Sequence, residues 1–403
     1  MRILFFATYP TQSTGYARIG NILANHLAAR HEVHYLGISN FTDQALGRSV
    51  NPEVRLIDAL AERAAGSTEL YGVDVICGII KRIKPDLVFI YNDVIVINRI
   101  LNEFNAEWGR AAKPFRLCIY MDMVYEFQRL EYYHNIGVWA DQILVFSECW
   151  KRDLKEIGLP DEKVFVLPHG FETSFGVETV EDAKKKMAFK PDDFVVLNTN
   201  RNAYRKAIDI TIEAFVLFLA KRRYSADIKL FLNMVMTSPQ GYDIHKLIKV
   251  VCLKNKVDYD RIVSSHIFIR PADALSDDGL KTLYFASDVG INTCLGEGFG
   301  LCNLEHACIG RPQIVSGVGA LADIFSDKYA TVITPRASLY LSEMVEGHQG
   351  YIHMCEPQDF ADALEKYYAD RELAAWHGAR GREVLTKKYS WERILALLDS
   401  ILF

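Results

Sequence analysis

Short apolar runs rich in β-branched residues alternate along this chain with longer segments of helical period, and the alternation starts a second time after residue 193. The first unit sets the pattern: Ile3–Ala7 predicts a buried strand, apolar residues recur at helical spacing from Ile19 to Leu27, and Glu32–Gly37 predicts the next strand. Such alternation indicates an α/β fold in which helices cover both faces of a parallel sheet. Further strands are predicted at 87–91, 115–120, 142–146 and 164–167, and then at 194–198, 228–233, 266–269 and 289–293.

The length of the chain indicates two such domains. One hydrophobic core rarely grows beyond roughly 250–300 residues, and this chain has 403. Residues 172–193 are polar, include three consecutive lysines and separate the two sets of strands, so they predict the interdomain linker and a flanking helix. The last helix, from about Trp391 to Phe403, is apolar on most faces and is therefore expected to be buried.

The charge balance and the cysteines exclude several classes of protein. With 46 basic and 51 acidic side chains the net charge is −5, and neither half has the basic excess of a nucleic-acid-binding protein, so no nucleic acid partner is expected. No apolar run approaches the ~20 residues of a transmembrane helix, although peripheral contact with a membrane stays open. Eight widely spaced cysteines without a Cys-x-x-Cys pair predict free thiols in a reducing compartment, and hence a cytoplasmic protein.

The segment from Asn292 to Glu305 predicts a strand, a loop with three glycines in five residues, and a helix. Glycines let the backbone approach a ligand closely, and the start of a helix offers N–H groups to an anion. Glu297 lies in the loop, and Glu305 follows eight positions later, about two helical turns further on. Carboxylates at these positions are able to accept hydrogen bonds from the hydroxyls of a sugar and a ribose. An ordinary glycine-rich turn followed by a solvated glutamate is the alternative.

A second candidate segment follows the first strand of the second domain. Arg201 and Lys206 lie in the loop after strand 194–198, and loops at the carboxyl ends of parallel strands converge on a ligand crevice. Both side chains are suited to pair with a diphosphate, each charge-assisted hydrogen bond contributing about 1.5–3 kcal/mol. The alternative is a solvated basic loop.

With these segments the chain resembles the family-4 glycosyltransferases, a retaining group with the GT-B fold. The family signature is a glutamate, a Gly-Phe-Gly segment and a second glutamate, with seven residues between the two glutamates, as at Glu297 and Glu305. The family's Arg…Lys pair matches Arg201 and Lys206. Other familiar segments occur in the same order: Ser147-Glu148, Pro168-His169-Gly170, Gly310-Arg311-Pro312 and Tyr389-Ser390-Trp391.

The resemblance implies two Rossmann-like parallel-sheet domains facing a central cleft, with a C-terminal helix that crosses back to the first domain. The domains would be an acceptor-side domain of residues 1–180 plus 388–403, and a nucleotide-sugar-binding domain of residues 181–387. The implied reaction is hexosyl transfer from a nucleotide-diphosphate donor to a hydroxyl of a glycan or other acceptor, with retained configuration. The nucleotide-sugar is a co-substrate, and neither a metal nor another cofactor is expected. GDP-mannose is favoured over UDP-sugars as donor, with no residue behind that choice.

The resemblance also assigns roles to residues. Glu305 would bind the ribose, Glu297 would hold hydroxyls of the donor sugar, and Arg201 with Lys206 would stabilise the leaving diphosphate. The remaining nucleotide-sugar contacts would come from Gly15, Arg270, Gly298, Phe299, Gly300 and Leu301. Tyr9, Tyr16 and Tyr125 would line the acceptor side.

One departure affects the catalytic set. Many relatives carry a His-Asp pair where this chain has Met121-Asp122, so Asp122 or Tyr125 would have to replace the histidine. A non-catalytic nucleotide-sugar-binding relative, or a sugar-nucleotide epimerase or phosphorylase of the same fold, therefore stays open as an alternative. Asp258-Tyr259-Asp260 has the form of a metal–nucleotide motif from another fold class and is interpreted as a chance occurrence.

Overall fold

The computed structural model describes residues 1–41, 48–109, 112–172, 178–270, 275–342 and 347–403. Residues 173–177 of the predicted linker lie outside the described residues. The chain divides into two compact units, one of residues 1–169 with 394–403 and the other of residues 170–393. The predicted domain ranges, 1–180 with 388–403 and 181–387, place the first boundary 11 residues later and the second boundary 6 residues earlier than in these units.

The first unit contains a seven-stranded parallel sheet in the order β3-β2-β1-β4-β5-β6-β7. Its strands are β1 (Arg2–Thr8), β2 (Glu32–Ile38), β3 (Arg55–Asp58), β4 (Leu87–Asp93), β5 (Arg116–Asp122), β6 (Gln142–Val145) and β7 (Val164–Val166). The helices are α1 (Gly15–Ala28), α2 (Ile76–Ile83), α3 (Val94–Glu107), α4 (Leu130–Trp139) and α5 (Glu148–Glu156). Five consecutive residues of β1 are buried, as expected for a strand covered on both faces.

The second unit contains a six-stranded parallel sheet in the order β10-β9-β8-β11-β12-β13, with a separate antiparallel pair β14-β15. Its strands are β8 (Phe194–Asn198), β9 (Ile228–Asn233), β10 (Ile267–Arg270), β11 (Val289–Asn292), β12 (Gln313–Ser316), β13 (Thr331–Ile333), β14 (Ala337–Leu341) and β15 (Gly350–Met354). The helices are α6 (Val180–Lys186), α7 (Ile208–Lys221), α8 (Ile244–Lys254), α9 (Tyr259–Ser265), α10 (Asp277–Ala286), α11 (Leu301–Cys308), α12 (Gly319–Ile324), α13 (Pro357–Ala369) and α14 (Arg371–Lys388).

The predicted α/β class with two parallel sheets is confirmed. Strands β3, β12 and β13 and the pair β14-β15 were not among the predicted strands. β3 is a short strand at the edge of its sheet with no fully buried residue, so it lacks the apolar run that marks the others. β12 is buried throughout but has only four residues and begins with Gln313.

The C-terminal helix α15 (Trp391–Leu402) begins in the second unit, and its residues from Ile394 onwards belong to the first. Within the first unit, Asp399 of this helix accepts hydrogen bonds from Nε2 of His26 at 2.9 Å and from Arg30 at 3.0 Å. Its apolar face is buried, with Leu398 fully covered. A helix that returns to the first unit is what the sequence predicts. In the described ranges no helix is both long enough and apolar enough to cross a bilayer.

Strand order reverses once in each sheet, between β1 and β4 in the first and between β8 and β11 in the second. In sheets of this type the loops that follow the two strands at such a switch point diverge and leave a crevice at the carboxyl ends. The two candidate segments of the second domain are the loops that follow β8 and β11. The topology therefore places them on either side of one switch point.

Candidate functional site

The loops after β8 and β11 are joined by hydrogen bonds in the second unit. The Leu295 N–H donates to the carbonyl of Arg205 at 2.8 Å. The Thr293 hydroxyl lies 2.8 Å from the carbonyl of Ala207, which precedes α7. These contacts hold the basic loop against the glycine loop, so the side chains of the two loops meet.

A buried ion pair lies where the loops meet. Lys206 Nζ donates to Glu297 Oε2, and both side chains are only 8% exposed. Arg205 Nη1 lies 3.7 Å from Glu297 Oε1, and Asn292 Nδ2 donates to Oε2 at 3.4 Å. Burial alone would raise the pKa of Glu297, but Lys206 and then Arg205 outweigh it and hold that pKa below its usual value of 4.5. Glu297 is therefore a carboxylate at neutral pH, between two cations.

Arg205 is one of the residues that the sequence prediction missed. Arg201 was predicted as the arginine of this site and lies exposed on the same loop, whereas Arg205 reaches Glu297 and also donates to the carbonyl of Gly296 at 3.3 Å. Two cations next to one carboxylate leave a net positive charge, which suits a diphosphate. The adjacent Arg-Lys pair was the available signal, but in a loop without period it does not indicate which side chain turns inward.

The glycine loop leads directly into α11. Gly300 has φ +83° at the N-cap, and a Cβ there would lie 2.5 Å from Leu321 Cδ2, so this position requires glycine. Phe299 is buried and packs edge-to-face on Tyr389 with ring centroids 5.9 Å apart. Gly298 is buried in the same loop, and Leu301 begins the helix. The loop is thus a tightly packed structure, in contrast to an ordinary solvated turn.

Glu305 is buried on α11, at 5% exposure. The hydroxyl of Tyr284, on α10, donates to Glu305 Oε2 at 3.1 Å. This excludes the reading of Glu305 as a solvated helix residue. Tyr284 was not predicted, because only tertiary packing brings α10 next to α11.

In the first unit the structure brings two predicted residues together. The Tyr16 hydroxyl, near the start of α1, donates to Asp122 Oδ2 at the end of β5 at 2.8 Å. Burial, followed by the charge of Asp122, holds the pKa of Tyr16 well above its usual value. Gly15 is the exposed first residue of α1, where the Thr14 hydroxyl accepts from the Ala17 N–H at 3.1 Å.

The other predicted residues are more scattered. Tyr9 is half-buried against Gly37, where an added Cβ would lie 2.5 Å from the Tyr9 ring. Tyr125 is buried, at 2% exposure. Met121 is fully buried within β5, and Arg270 is exposed at the end of β10.

Two further features lie apart from the predicted residues. An open pocket of about 970 Å³ between α6 and α10 is lined by Lys185, Lys281, Phe285 and their neighbours, and none of the predicted residues lines it. Asp258 is the N-cap of α9, where its Oδ1 accepts from the Arg261 N–H at 3.1 Å, so its position has a structural cause.

Across the described parts of the chain, no group of three or more His, Cys, Asp or Glu side chains is arranged to hold a metal ion.

Comparison with known sequences gives a family and a distant relative. Residues 158–398 match the profile of a family described as "GT4-conflict: Family 4 Glycosyltransferase in conflict systems". An uncharacterized glycosyltransferase of Methanocaldococcus jannaschii is 20% identical over 259 residues, which make up 63% of this chain and 57% of that protein. The chain therefore matches little more than half the length of this curated relative.

Solved structures resemble the whole chain. Sucrose-phosphate synthase from Thermosynechococcus elongatus has a TM-score of 0.74 at 16% identity, covering 100% of this chain and 98% of that one. HepE from Anabaena, in complex with UDP-glucose, has a TM-score of 0.70 at 15% identity, covering 100% and 99%. WaaG, a glycosyltransferase involved in lipopolysaccharide biosynthesis, has a TM-score of 0.68 at 15% identity and covers both chains fully. These likenesses establish the fold and confirm the predicted GT-B class.

Proposed function

We propose that this chain, which belongs to the family 4 glycosyltransferases in conflict systems, transfers a sugar from a nucleotide-diphosphate donor to an acceptor hydroxyl. The observation that carries the proposal is the buried Lys206–Glu297 pair at the switch point of the second sheet. A charged pair in that position is costly to bury, and a ligand with both hydroxyl and phosphate groups is what its two charges fit.

The two charges have different tasks in this proposal. Glu297 is ionised and accepts hydrogen bonds from hydroxyls of the donor sugar. Lys206, whose ammonium carries three N–H donors, keeps Glu297 oriented and also faces the diphosphate. Cleavage of the bond between the sugar and the diphosphate places negative charge on the leaving group, and Lys206 and Arg205 stabilise that charge as it develops. The predicted contribution of Arg201 comes from the same loop.

Metal independence and retained configuration are further parts of the proposal. Lys206 and Arg205 supply positive charge where a divalent cation would otherwise be needed, which supports turnover without a metal. Retention is an expectation from the family resemblance. A reducing, cytoplasmic location is supported by the eight free cysteines.

The nucleotide remains the least constrained part of the donor. Glu305, held by Tyr284, is the proposed partner of the ribose hydroxyls, and a ribose does not distinguish between bases. The sequence prediction of GDP-mannose is kept as one candidate. HepE was solved with UDP-glucose, so a UDP-sugar is the other candidate, and both belong in the donor panel.

On the acceptor side, the Tyr16–Asp122 contact is the proposed place for a glycan or other hydroxyl acceptor. Asp122 lies at the carboxyl end of β5, beside the switch point of the first sheet, and its carboxylate is able to accept a hydrogen bond from an incoming hydroxyl. The second candidate function is nucleotide-sugar binding without turnover. The fully buried Met121, in place of the family's histidine, favours that candidate.

The test is release of nucleoside diphosphate from a panel of GDP- and UDP-sugars, with and without hydroxyl acceptors and with EDTA present. Wild type is compared with Lys206→Met and with Lys184→Met, a matched control that removes another buried lysine of the second unit. We expect turnover by wild type and Lys184→Met, and a loss of at least about a hundredfold in Lys206→Met. Donor binding without release by wild type would favour the non-catalytic candidate. Conversion of the donor sugar with no acceptor consumed and no net release of nucleoside diphosphate would favour an epimerase, and release that requires inorganic phosphate in place of a hydroxyl acceptor would favour a phosphorylase.

A further inference from the structure

We propose that an unbroken chain of buried hydrogen bonds fixes the Glu297 carboxylate, and that its members act as positioning residues of the donor site. The members, in order from Glu297, are Asn292, Asn303, Gln313, His306 and Ser287. All of them are at most 4% exposed. The chain of hydrogen bonds is present whatever the function of the protein, whereas its effect on a bound donor rests on the proposed function.

The first half of the chain consists of three side-chain amides. Asn292 Nδ2 donates to Glu297 Oε2 at 3.4 Å and to Asn303 Oδ1 at 2.8 Å. Asn303 Nδ2 in turn donates to Gln313 Oε1 at 2.9 Å. Asn303 and Gln313 therefore each use the nitrogen towards one neighbour and the oxygen towards the other. Asn292 donates to both neighbours through its nitrogen, while its oxygen accepts from the Cys294 N–H at 3.1 Å. None of the three amides is free to flip.

The second half fixes the direction of the whole chain. Gln313 Nε2 lies 3.1 Å from the carbonyls of both Arg311 and Pro312, so this end of the amide must be the donor. It also lies 3.1 Å from His306 Nδ1, which must therefore accept. His306 Nε2–H then donates to Ser287 Oγ at 2.9 Å, and the Ser287 hydroxyl donates to the carbonyl of Tyr284 at 3.0 Å.

This direction requires His306 to be neutral, with its proton on Nε2. Burial, and then the nearby Arg311, lowers the pKa of His306 to about 3, so the imidazole is neutral throughout the physiological range. A protonated His306 would place an N–H on Nδ1, facing the Nε2 donor of Gln313. The direction of the hydrogen bonds and the neutral state of His306 thus agree.

Gly290 makes room for the central amide. It is the register partner of Gln313 on the neighbouring strand β11, and a Cβ at this position would lie 2.2 Å from Gln313 Oε1. The Gln313 side chain therefore lies flat over the glycine of the adjacent strand. The backbone geometry of β11 and β12 is matched to this one side-chain position.

A purely structural explanation accounts less well for the chain. Buried amides and a buried imidazole lose their contacts with water on folding, and apolar side chains of similar size would fill the same volume without that loss. What the polar chain supplies is a fixed orientation for Asn292, and through it for the Glu297 oxygen that also meets Lys206. Positioning of Glu297 is therefore the role that distinguishes this chain from a packed apolar core.

The first test compares Gln313→Met, which breaks the chain at its centre with nearly the same side-chain length, against His377→Phe. His377 is a matched control because it is a buried imidazole of the same unit, hydrogen-bonded to the Tyr367 hydroxyl at 2.7 Å and outside the chain. We expect Gln313→Met to lower kcat about tenfold, while the Kd of the free nucleoside diphosphate stays within about twofold because Glu305 is untouched. The control should lose thermal stability with kcat unchanged. Equal kcat values for Gln313→Met and His377→Phe would overturn the positioning role.

A second pair of variants tests for rescue. His306→Asn places an amide oxygen near the position of Nδ1 and keeps an acceptor for Gln313, whereas His306→Leu removes it. We expect kcat to be higher in His306→Asn than in His306→Leu at similar melting temperatures. The reverse order would contradict the assigned direction of the chain.

The third readout does not depend on activity. In protein labelled with ¹⁵N at histidine, the ring nitrogens report the tautomer of His306, whose signals are identified by their absence from the His306→Asn spectrum. We expect a neutral Nε2–H imidazole at pH 7, and a different tautomer distribution in Gln313→Met. A charged or Nδ1–H imidazole in wild type would overturn the chain itself. An intact chain in a protein that neither binds nor turns over any nucleotide-sugar would instead count against the proposed function.

Discussion

Removing the ammonium of Lys206 tests the electrostatics of the candidate site most sharply. Lys206→Met keeps the length of the side chain but leaves the Glu297 carboxylate buried without its closest cation. Breaking a buried ion pair on one side costs about 3–5 kcal/mol of unfolding free energy. Because Arg205 at 3.7 Å and Asn292 at 3.4 Å remain as partners, we expect the lower end of that range, about 3 kcal/mol at pH 7.

The size of this loss should depend on pH. In the wild-type protein the pKa of Glu297 is lower when folded than when unfolded, so its contribution to stability is present above about pH 4.5 and disappears as the pH falls through the lower folded value. In Lys206→Met, burial raises the pKa of Glu297 with less opposition, and the carboxyl group takes up a proton at a higher pH. The destabilisation should therefore shrink between pH 7 and pH 5.

The assay is urea unfolding of the full chain at both pH values, for Lys206→Met, Glu297→Gln and the double variant. At pH 7 we expect the double variant to be more stable than Lys206→Met alone, because it no longer buries an unpaired charge. Lys184→Met is again the control, since its buried ammonium pairs with Asp288 at 3.0 Å and with backbone carbonyls away from Glu297. A loss in Lys206→Met that is the same at pH 5 and pH 7, together with simple additivity in the double variant, would refute this reasoning.

Three other perturbations have defined outcomes. Gly290→Ala should destabilise the protein by about 1–3 kcal/mol in urea unfolding, because the added Cβ would lie 2.2 Å from Gln313 Oε1. A stability equal to that of the wild type would show that the Gln313 amide has room to move. Burial raises the pKa of Asp153 to about 7, so the wild type should lose stability as the pH rises from 5 to 8. Asp153→Asn stays neutral, so its unfolding free energy should rise by about 2–3 kcal/mol relative to that of the wild type between pH 5 and pH 8. Parallel plots of unfolding free energy against pH for the two proteins would contradict this. Arg201→Ala should lower turnover, and Arg201→Ala with Lys206→Ala should nearly abolish it while the circular dichroism spectrum is retained; unchanged turnover in the double variant would refute the diphosphate assignment.

The parallel sheets were predictable because most of their strands are continuous apolar segments in the sequence. β1 has five consecutive buried residues and β8 is buried throughout, so each stands out from its flanking loops without any tertiary information. β3 and β12 escaped prediction for opposite reasons. β3 is an edge strand with no fully buried residue, whereas β12 is fully buried but short and begins with a glutamine.

The residues of the candidate site that belong to a sequence motif were predictable. Those that only tertiary packing brings to the site were not. Glu297, Lys206 and Glu305 were predicted from the glycine loop, the basic loop and the family resemblance, and the structure buries all three in the second unit. Arg205 and Tyr284 were missed, because an irregular loop has no period to indicate which side chain points inward, and because α10 meets α11 only in the folded chain. The hydrogen bonds from Asn292 to Ser287 join residues of β11, α11 and β12 and the end of α10. No pattern in the sequence indicates that these residues meet.

The central claim is tested most directly by calorimetric titration of the purified protein with GDP and with UDP, each in the presence of EDTA, for wild type and Glu305→Ala. The proposed donor site predicts that wild type binds one of the two nucleotides at micromolar concentration without a metal. Loss of the Glu305 contact should weaken that binding about tenfold or more. Absence of binding by wild type to either nucleotide, or equal affinity in Glu305→Ala, would contradict a nucleotide-diphosphate site in the second unit.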